Sequence, residues 1–188
     1  MYDFKKEILQ IQTAFGKWPK AKKIVLVALL SSIGAIFQSA GGYLPAVGYF
    51  ISPLATAPVI LCSIFSIPIG FLSYILITLL LFILEPSELI IFPFTTGLLG
   101  LFIGGSFHLF KGIWSQVLCG AAGLIIGISV LLYAVKFPVL GPAVSSSFSF
   151  LVFAAVFICS IFYSWIWVAL IRKLLGRFKR IIFLSPSK

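Results

Sequence analysis

The sequence predicts an all-α integral membrane protein of about six transmembrane helices, with N- and C-termini cytoplasmic and with basic amphipathic ends. Three observations predict it. The chain has 188 residues, of which 61% are hydrophobic and only 10% charged, and its mean hydropathy is +1.20; in soluble proteins about a quarter of residues are charged. From Ile24 to Phe110 there is no Lys or Arg. A charge at the bilayer centre costs roughly 2.5–3.5 kcal/mol on insertion scales, so this stretch crosses the membrane repeatedly with short turns. Finally, the apolar runs are continuous, without the alternation of a transmembrane barrel strand, which leaves helices as the spanning element.

The elements follow in order. Residues 1–22 form a basic amphipathic cytoplasmic segment: Phe4, Ile8, Ile11, Phe15 and Trp18 recur at three- and four-residue steps among lysines, the pattern of a helix lying on anionic lipid. A six-helix transmembrane domain occupies 23–171. Its first span, 24–44, exceeds the roughly 7–15 apolar residues of a signal peptide and is retained as a helix. Spans 47–66 and 67–84 come from one apolar run, divided at Ser66-Ile67-Pro68 because proline is best tolerated in the first turn of a helix. Pro53 and Pro58 each remove a backbone donor inside 47–66, so this span is straight, kinked or re-entrant. The phrase "SPLATAP" at 52–58 is either a cavity wall or a pair of ordinary proline kinks. Spans 89–107, 115–135 and 146–171 complete the set. A basic cytoplasmic tail, 172–188, places Leu174, Leu175, Phe178, Ile181 and Ile182 among cationic residues as a second surface helix.

Charge fixes the orientation. With six spans and the N-terminus inside, thirteen of the fourteen Lys and Arg residues face inward and only Lys136 faces out, as the positive-inside rule requires. Trp18, Trp114, Trp165 and Trp167 all fall near inner ends of spans, where indoles favour the membrane interface. The formal charge of +10 is therefore assigned to lipid anchoring and topology, with docking of an acidic cytoplasmic partner as the other reading. No nucleic-acid partner is expected.

Enzymatic function is not expected either. The spans contain no converging set of His, Asp, Glu and Cys. Cys62, Cys119 and Cys159 lie in apolar runs without metal-ligand spacing and read as small buried hydrophobes. The lone histidine, His108, lies near Lys111 and reads as a wet residue at the inner interface. A zinc site needs at least three protein ligands, and a Ser-His-Asp system needs a buried acid. No phosphate-cradling Gly-x-x-x-x-Gly-Lys motif occurs. No cofactor and no metal are expected.

Two acids stand out. Glu85 and Glu88, in "EPSE", are the only carboxylates from Ile24 to Lys188, and the topology puts them in the outer loop between spans three and four. Pro86 ends span three. Ser87 is suited to cap span four, and Glu88 to sit at the positive end of its dipole. Glu85 is open to a ligand contact or a pairing with Lys136. Small residues cluster as well: Ala28, Ser31, Ser32 and Ala35 form a small face on span one, a candidate contact for a partner helix. Gly100/Gly104 and Gly123/Gly127 are Gly-x-x-x-Gly pairs that permit close helix approach, read chiefly as intramolecular packing.

About 190 residues, six short spans, a small-residue face on the first helix and no energy source together resemble the substrate-binding S-components of bacterial energy-coupling-factor vitamin transporters. The phrase "FPFTTGLLGLFIGG", Phe92 to Gly105, is similar to one in S-components of the thiamine or thiamine-precursor type. The resemblance covers most of spans one to four. Where that family has Ala-x-x-x-Ala on span one, this chain reads Ala28-x-x-x-Ser32 or Ser31-x-x-x-Ala35. The resemblance implies a multi-pass protein of the bacterial cytoplasmic membrane that captures a vitamin-like small molecule from outside. It also implies a separate transmembrane coupling subunit and ATPase subunits to complete transport.

On this reading the pocket is formed by span ends and outer loops, with Gln38, Tyr43, Tyr49, Glu85, Glu88, Lys136 and Ser145 to Ser147 as candidate substrate-binding residues. Aromatic faces stack, the acids hold a cationic group and Lys136 an anionic one. The alternative is a non-transporting small membrane protein that stabilises or regulates a larger complex through its glycine faces and basic ends.

Overall fold

The computed structural model of the protein describes residues 4–44, 46–137 and 150–183. Every regular element there is helical, and six segments are long and apolar enough to cross a bilayer: Lys20–Tyr43, Gly48–Phe65, Ile67–Leu84, Glu88–Leu109, Ile113–Ala134 and Phe150–Gly176. The chain is a multi-pass membrane protein of six spans, as the sequence predicts. Residues 145–147 and the first part of the expected sixth span lie outside the described residues.

The N-terminal helix α1 (Phe4–Gly16) leads through Trp18 and Pro19 into the first span, α2 (Lys20–Tyr43). Lys23 Nζ donates to the Gly16 carbonyl at 2.9 Å, and Lys22 Nζ lies 4.4 Å from the Trp18 ring centroid. The apolar stripe of α1 does not meet lipid as its sequence suggests. Ile8 and Phe15 are buried against the bundle, and Phe15 stacks on Phe65 with ring centroids 4.7 Å apart. Periodicity reports that a stripe is covered but not by what.

The second span is continuous and helical but changes gauge. A short helix, α3 (Gly48–Ile51), passes through one 3₁₀ turn at Ser52–Ala55 into α4 (Thr56–Phe65). Pro53 is accommodated in that turn and Pro58 in the first turn of α4, where the missing donor costs least. Ala55 and Thr56 are fully buried, so "SPLATAP" is a packed kink against α2. Ser66 is extended, with φ −166° and ψ 136°, and α5 (Ile67–Leu84) begins beyond it with Pro68 in its first turn. This is the break the sequence predicts.

Span four is divided. α6 (Glu88–Phe94) ends at Thr95, whose φ of −117° and ψ of −98° separate it from α7 (Thr96–Leu109). Pro93 inside α6 cannot donate a backbone hydrogen bond, and the Thr95 hydroxyl bonds the Ile91 carbonyl at 2.7 Å beside the interruption. Span five is α8 (Ile113–Ser129), finishing in a wider π-helical turn, Val130–Ala134. The last helix, α9 (Phe150–Phe183), runs without interruption past residue 171. The basic tail therefore begins as an extension of span six, and no separate surface helix forms over 172–183.

α4 sits at the centre. On one side Ile60 and Ile64 pack with Leu99, Ile103, Val117 and Val168 of α7, α8 and α9. On the other, Val59 joins Ala35, Ile77, Leu81 and Phe92 of α2, α5 and α6. Glycines set the closest approaches. A Cβ on Gly104 would lie 2.3 Å from Ser63 Cβ and 2.9 Å from the Ile60 carbonyl oxygen, and one on Gly100 would lie 2.7 Å from Val59 Cβ. The Gly-x-x-x-Gly pair of α7 thus seats α4, and Gly123 and Gly127 of α8 similarly receive Phe102 and the Phe94 carbonyl. Trp167 belongs to this core, only 4% exposed, and so is not an interface anchor.

Topology separates two ends. At one lie α1, Phe65, His108, Lys111 and Arg172. Arg172 Nε donates to Gln116 Oε1 at 2.9 Å and Nη2 to the Lys111 carbonyl at 2.7 Å, tying α9 to the α7–α8 turn. At the other lie Tyr43, Leu84 to Glu88 and Lys136.

Candidate functional site

The end remote from α1 holds the polar cluster that the sequence marks. Glu88 opens α6 and is only 6% exposed. Its Oε2 accepts a hydrogen bond of 2.7 Å from Gln38 Nε2 of α2, and Gln38 Oε1 in turn accepts one of 2.8 Å from the Thr96 hydroxyl at the start of α7. Gln38 is 1% exposed. A carboxylate can only accept, so the amide must present its nitrogen to Glu88 and its oxygen to the Thr96 hydroxyl. The result is a directed chain, Thr96 to Gln38 to Glu88, joining three helices.

Backbone geometry creates the space. A Cβ on Gly41 would lie 2.5 Å from Glu88 Oε1, and one on Gly42 would lie 2.5 Å from the Glu85 carboxyl carbon. The Gly41-Gly42 pair lets both acids close onto the end of α2. A Cβ on Gly48 would lie 1.9 Å from the Ala40 carbonyl oxygen, so that glycine brings the start of α3 against α2. The interruption at Thr95 is equally part of the site, because it starts α7 at Thr96, whose hydroxyl reaches Gln38.

The other residues around it have varied fates. Glu85 is half-buried, and its Oε1 accepts from the Ser87 hydroxyl at 2.6 Å. Ser87 makes no capping bond to α6, contrary to the sequence expectation, because its hydroxyl is drawn to that charged acceptor. The Tyr43 hydroxyl donates to the Leu84 carbonyl and pins α2 to the end of α5. Tyr49 is 71% exposed. Lys136 is exposed, at a positive φ of 57°, and makes no ion pair with Glu85. Neither acid has a cationic partner among the described residues.

The candidate partner face on α2 divides. Ser31 and Ala35 are fully buried, with the Ser31 hydroxyl 2.9 Å from that of Ser73 on α5. Ser32 is exposed and Ala28 half-buried, so these two are the members of the face that look outward. A helix with small residues all along one side does not disclose which of them its own neighbours use.

His108 is placed differently from its expected wet position. It is half-buried, with Nε2 2.7 Å from the Ser63 carbonyl, while Gln12 Nε2 approaches Nδ1 at 3.1 Å and the Ile64 carbonyl at 3.1 Å. The pairing works when Nε2 carries the proton and Nδ1 accepts, so this histidine fastens α1 to the bundle. No group of three or more metal-binding side chains converges among the described residues.

Thr96, Gly41 and Gly42 were absent from the sequence-derived site. Thr96 carried a legible signal, a hydroxyl three residues beyond Pro93, but nothing in the sequence set it opposite Gln38. No protein-family model, curated protein or solved structure matches this chain.

Proposed function

We propose that this protein captures a small cationic molecule at the end of the bundle remote from α1, as the substrate-specific subunit of a multi-subunit importer of vitamins or vitamin precursors. The observation that carries the reading is Glu88: a buried carboxylate held by one neutral amide, with a second carboxylate three residues away and no cation from the described chain beside either. Burying an acid is costly unless charge or hydrogen bonds compensate. A positively charged ring or amine supplied by a ligand completes the compensation that Gln38 begins. Energy comes from other subunits, a transmembrane coupling protein and ATPases, with Ala28 and Ser32 on the outward side of α2 as a contact for the former. The protein itself catalyses no reaction on this reading and resides in a bacterial cytoplasmic membrane with its basic end inside.

The test is a melting screen of the full chain in detergent against cationic vitamins and precursors, with thiamine as the first probe. A ligand at a hundred times its dissociation constant stabilises by about 2.7 kcal/mol, and Glu88→Gln is expected to remove most of that shift. Purification from native membranes supplies the second arm. Recovery with ATPases supports import. A chain that no vitamin or precursor stabilises, and that co-purifies with some other membrane complex, fits instead a stabilising or regulatory subunit.

A further inference from the structure

A second hydrogen-bonded unit lies at the end of the bundle opposite Glu88 and joins α1 to it. Gln12 Nε2 is 3.1 Å from the Ile64 carbonyl oxygen and 3.1 Å from His108 Nδ1, while His108 Nε2 is 2.7 Å from the Ser63 carbonyl oxygen. One amide nitrogen thus commits its two N–H groups to a carbonyl of α4 and a ring nitrogen of α7. Carbonyls only accept, so the unit closes on a neutral imidazole that donates from Nε2 and accepts at Nδ1. Histidine is the side chain that ordinarily changes charge between about pH 5 and pH 8.

A proton on Nδ1 breaks this arrangement whichever way the amide turns. With Gln12 as it stands, two donors face each other across 3.1 Å. With the amide reversed, its oxygen accepts from Nδ1 but is set against the Ile64 carbonyl oxygen, and that bond is lost. The neighbouring groups do not favour the added charge. α4, α7, α8 and α9 contain no carboxylate. Cys62 is buried one residue before Ser63, Lys111 is exposed just beyond α7, and Arg172 is tied to Gln116 and the Lys111 carbonyl. On α1 itself, Lys6 and Lys17 line the outer face with Gln10 and Thr13, and Glu7 stands five residues before Gln12.

α1 also has a second surface on which to lie. Its apolar stripe, Ile8, Ile11 and Phe15, is flanked by lysines, and a basic amphipathic helix binds anionic lipid through such a stripe. Ile8 and Phe15 are buried against the bundle instead, so bundle and lipid compete for one face. Only residues 17–19 separate α1 from the first span. We infer that α1 is a proton-released latch: it docks on α4 and α7 while His108 is neutral, and lays the same stripe on an anionic membrane surface when His108 is protonated. The inference does not rest on the Glu88 reading, since the two sites lie at opposite ends of the bundle.

The test measures the distance between spin labels on the full chain in lipid nanodiscs, at about pH 8 and about pH 5, either side of the ordinary histidine range. The labels are carried by Thr13→Cys on α1 and Ser115→Cys on α8, both exposed positions, with the three native cysteines changed to alanine. Nanodiscs of phosphatidylcholine mixed with phosphatidylglycerol are compared with phosphatidylcholine alone. In the anionic discs, acidification is expected to populate a second, longer distance, raising its ratio to the docked one about tenfold, as loss of one hydrogen bond implies. His108→Gln is expected to abolish the change. Gln12→Glu is expected to reverse its sign, because the introduced carboxylate accepts from a protonated ring and repels a neutral Nδ1. The proposal is overturned by distances that do not respond to pH, by an equal response in His108→Gln, by equal release in the phosphatidylcholine discs, or by a Gln12→Glu chain that still opens on acidification. The comparison across pH and lipid with His108 and Gln12 intact does not depend on either substitution folding.

Discussion

Gln38 and Glu88, fifty residues apart in sequence, meet at 2.7 Å across the first and fourth spans, both almost wholly buried. A hydrogen bond to a charged group contributes roughly 1.5–3 kcal/mol, and the loss on removing one partner includes the cost of stranding the other. Gln38→Leu is therefore expected to lower the stability of the detergent-solubilised protein by about that amount. Gln38→Leu with Glu88→Leu, which strands neither group, is expected to lose less than the sum of the single changes. Additive losses in a double-mutant cycle would show that the contact carries no coupling.

The acids themselves make a functional prediction. Glu85→Gln with Glu88→Gln preserves shape and hydrogen-bonding capacity while removing both charges, and should reduce uptake of a cationic substrate by at least tenfold in cells carrying the complete transporter. Uptake at the original rate, with the protein present at its normal level, would reduce the pair to a structural role at the end of the bundle.

Two adjacent glycines on α7 should behave oppositely. Gly104→Ala drives a methyl to 2.3 Å from Ser63 Cβ and 2.9 Å from the Ile60 carbonyl oxygen, and overpacking of this kind costs about 1–3 kcal/mol. Gly105→Ala meets nothing within 4 Å and gains up to about 1 kcal/mol of helix propensity. Thermal melting of the two variants decides the matter, and similar behaviour would contradict the packing of α7 on α4.

The seating of α1 can be tested without unfolding the spans. Gln12→Ala with Phe15→Ala removes the bonds to His108 and Ile64 and the stack on Phe65. Hydrogen exchange over residues 4–16 is expected to rise at least tenfold, with exchange in α4 and α7 little changed. An α1 that stays protected in that variant is held by something other than these contacts.

Much of the fold was legible because the membrane constrains a sequence harshly. Backbone groups in hydrocarbon must bond within their own segment, so apolar length alone locates Lys20–Tyr43 or Ile67–Leu84 to within a few residues. Pro68 marks a helix start for a local steric reason that needs no tertiary information. The candidate site was legible in part: scarcity singled out Glu85 and Glu88, and Gln38 stood out as a polar residue in an apolar helix. The assignments that failed share a cause. Ser87 as a cap, Trp167 as an interface anchor and His108 as a wet residue each depended on which neighbour competes for the side chain, and local sequence does not hold that information.

By itself, then, the sequence determined that this is a six-span helical membrane protein, where its spans lie and that its charge gathers toward one end, because lipid selects residues one segment at a time. Only the tertiary structure decided that Thr96, Gln38 and Glu88 form one chain of hydrogen bonds and that Gly41 and Gly42 admit the two acids. Those relationships arise where helices distant in sequence approach to within a few ångströms, and the approach is set by the summed packing of the whole bundle rather than by any one stretch of it.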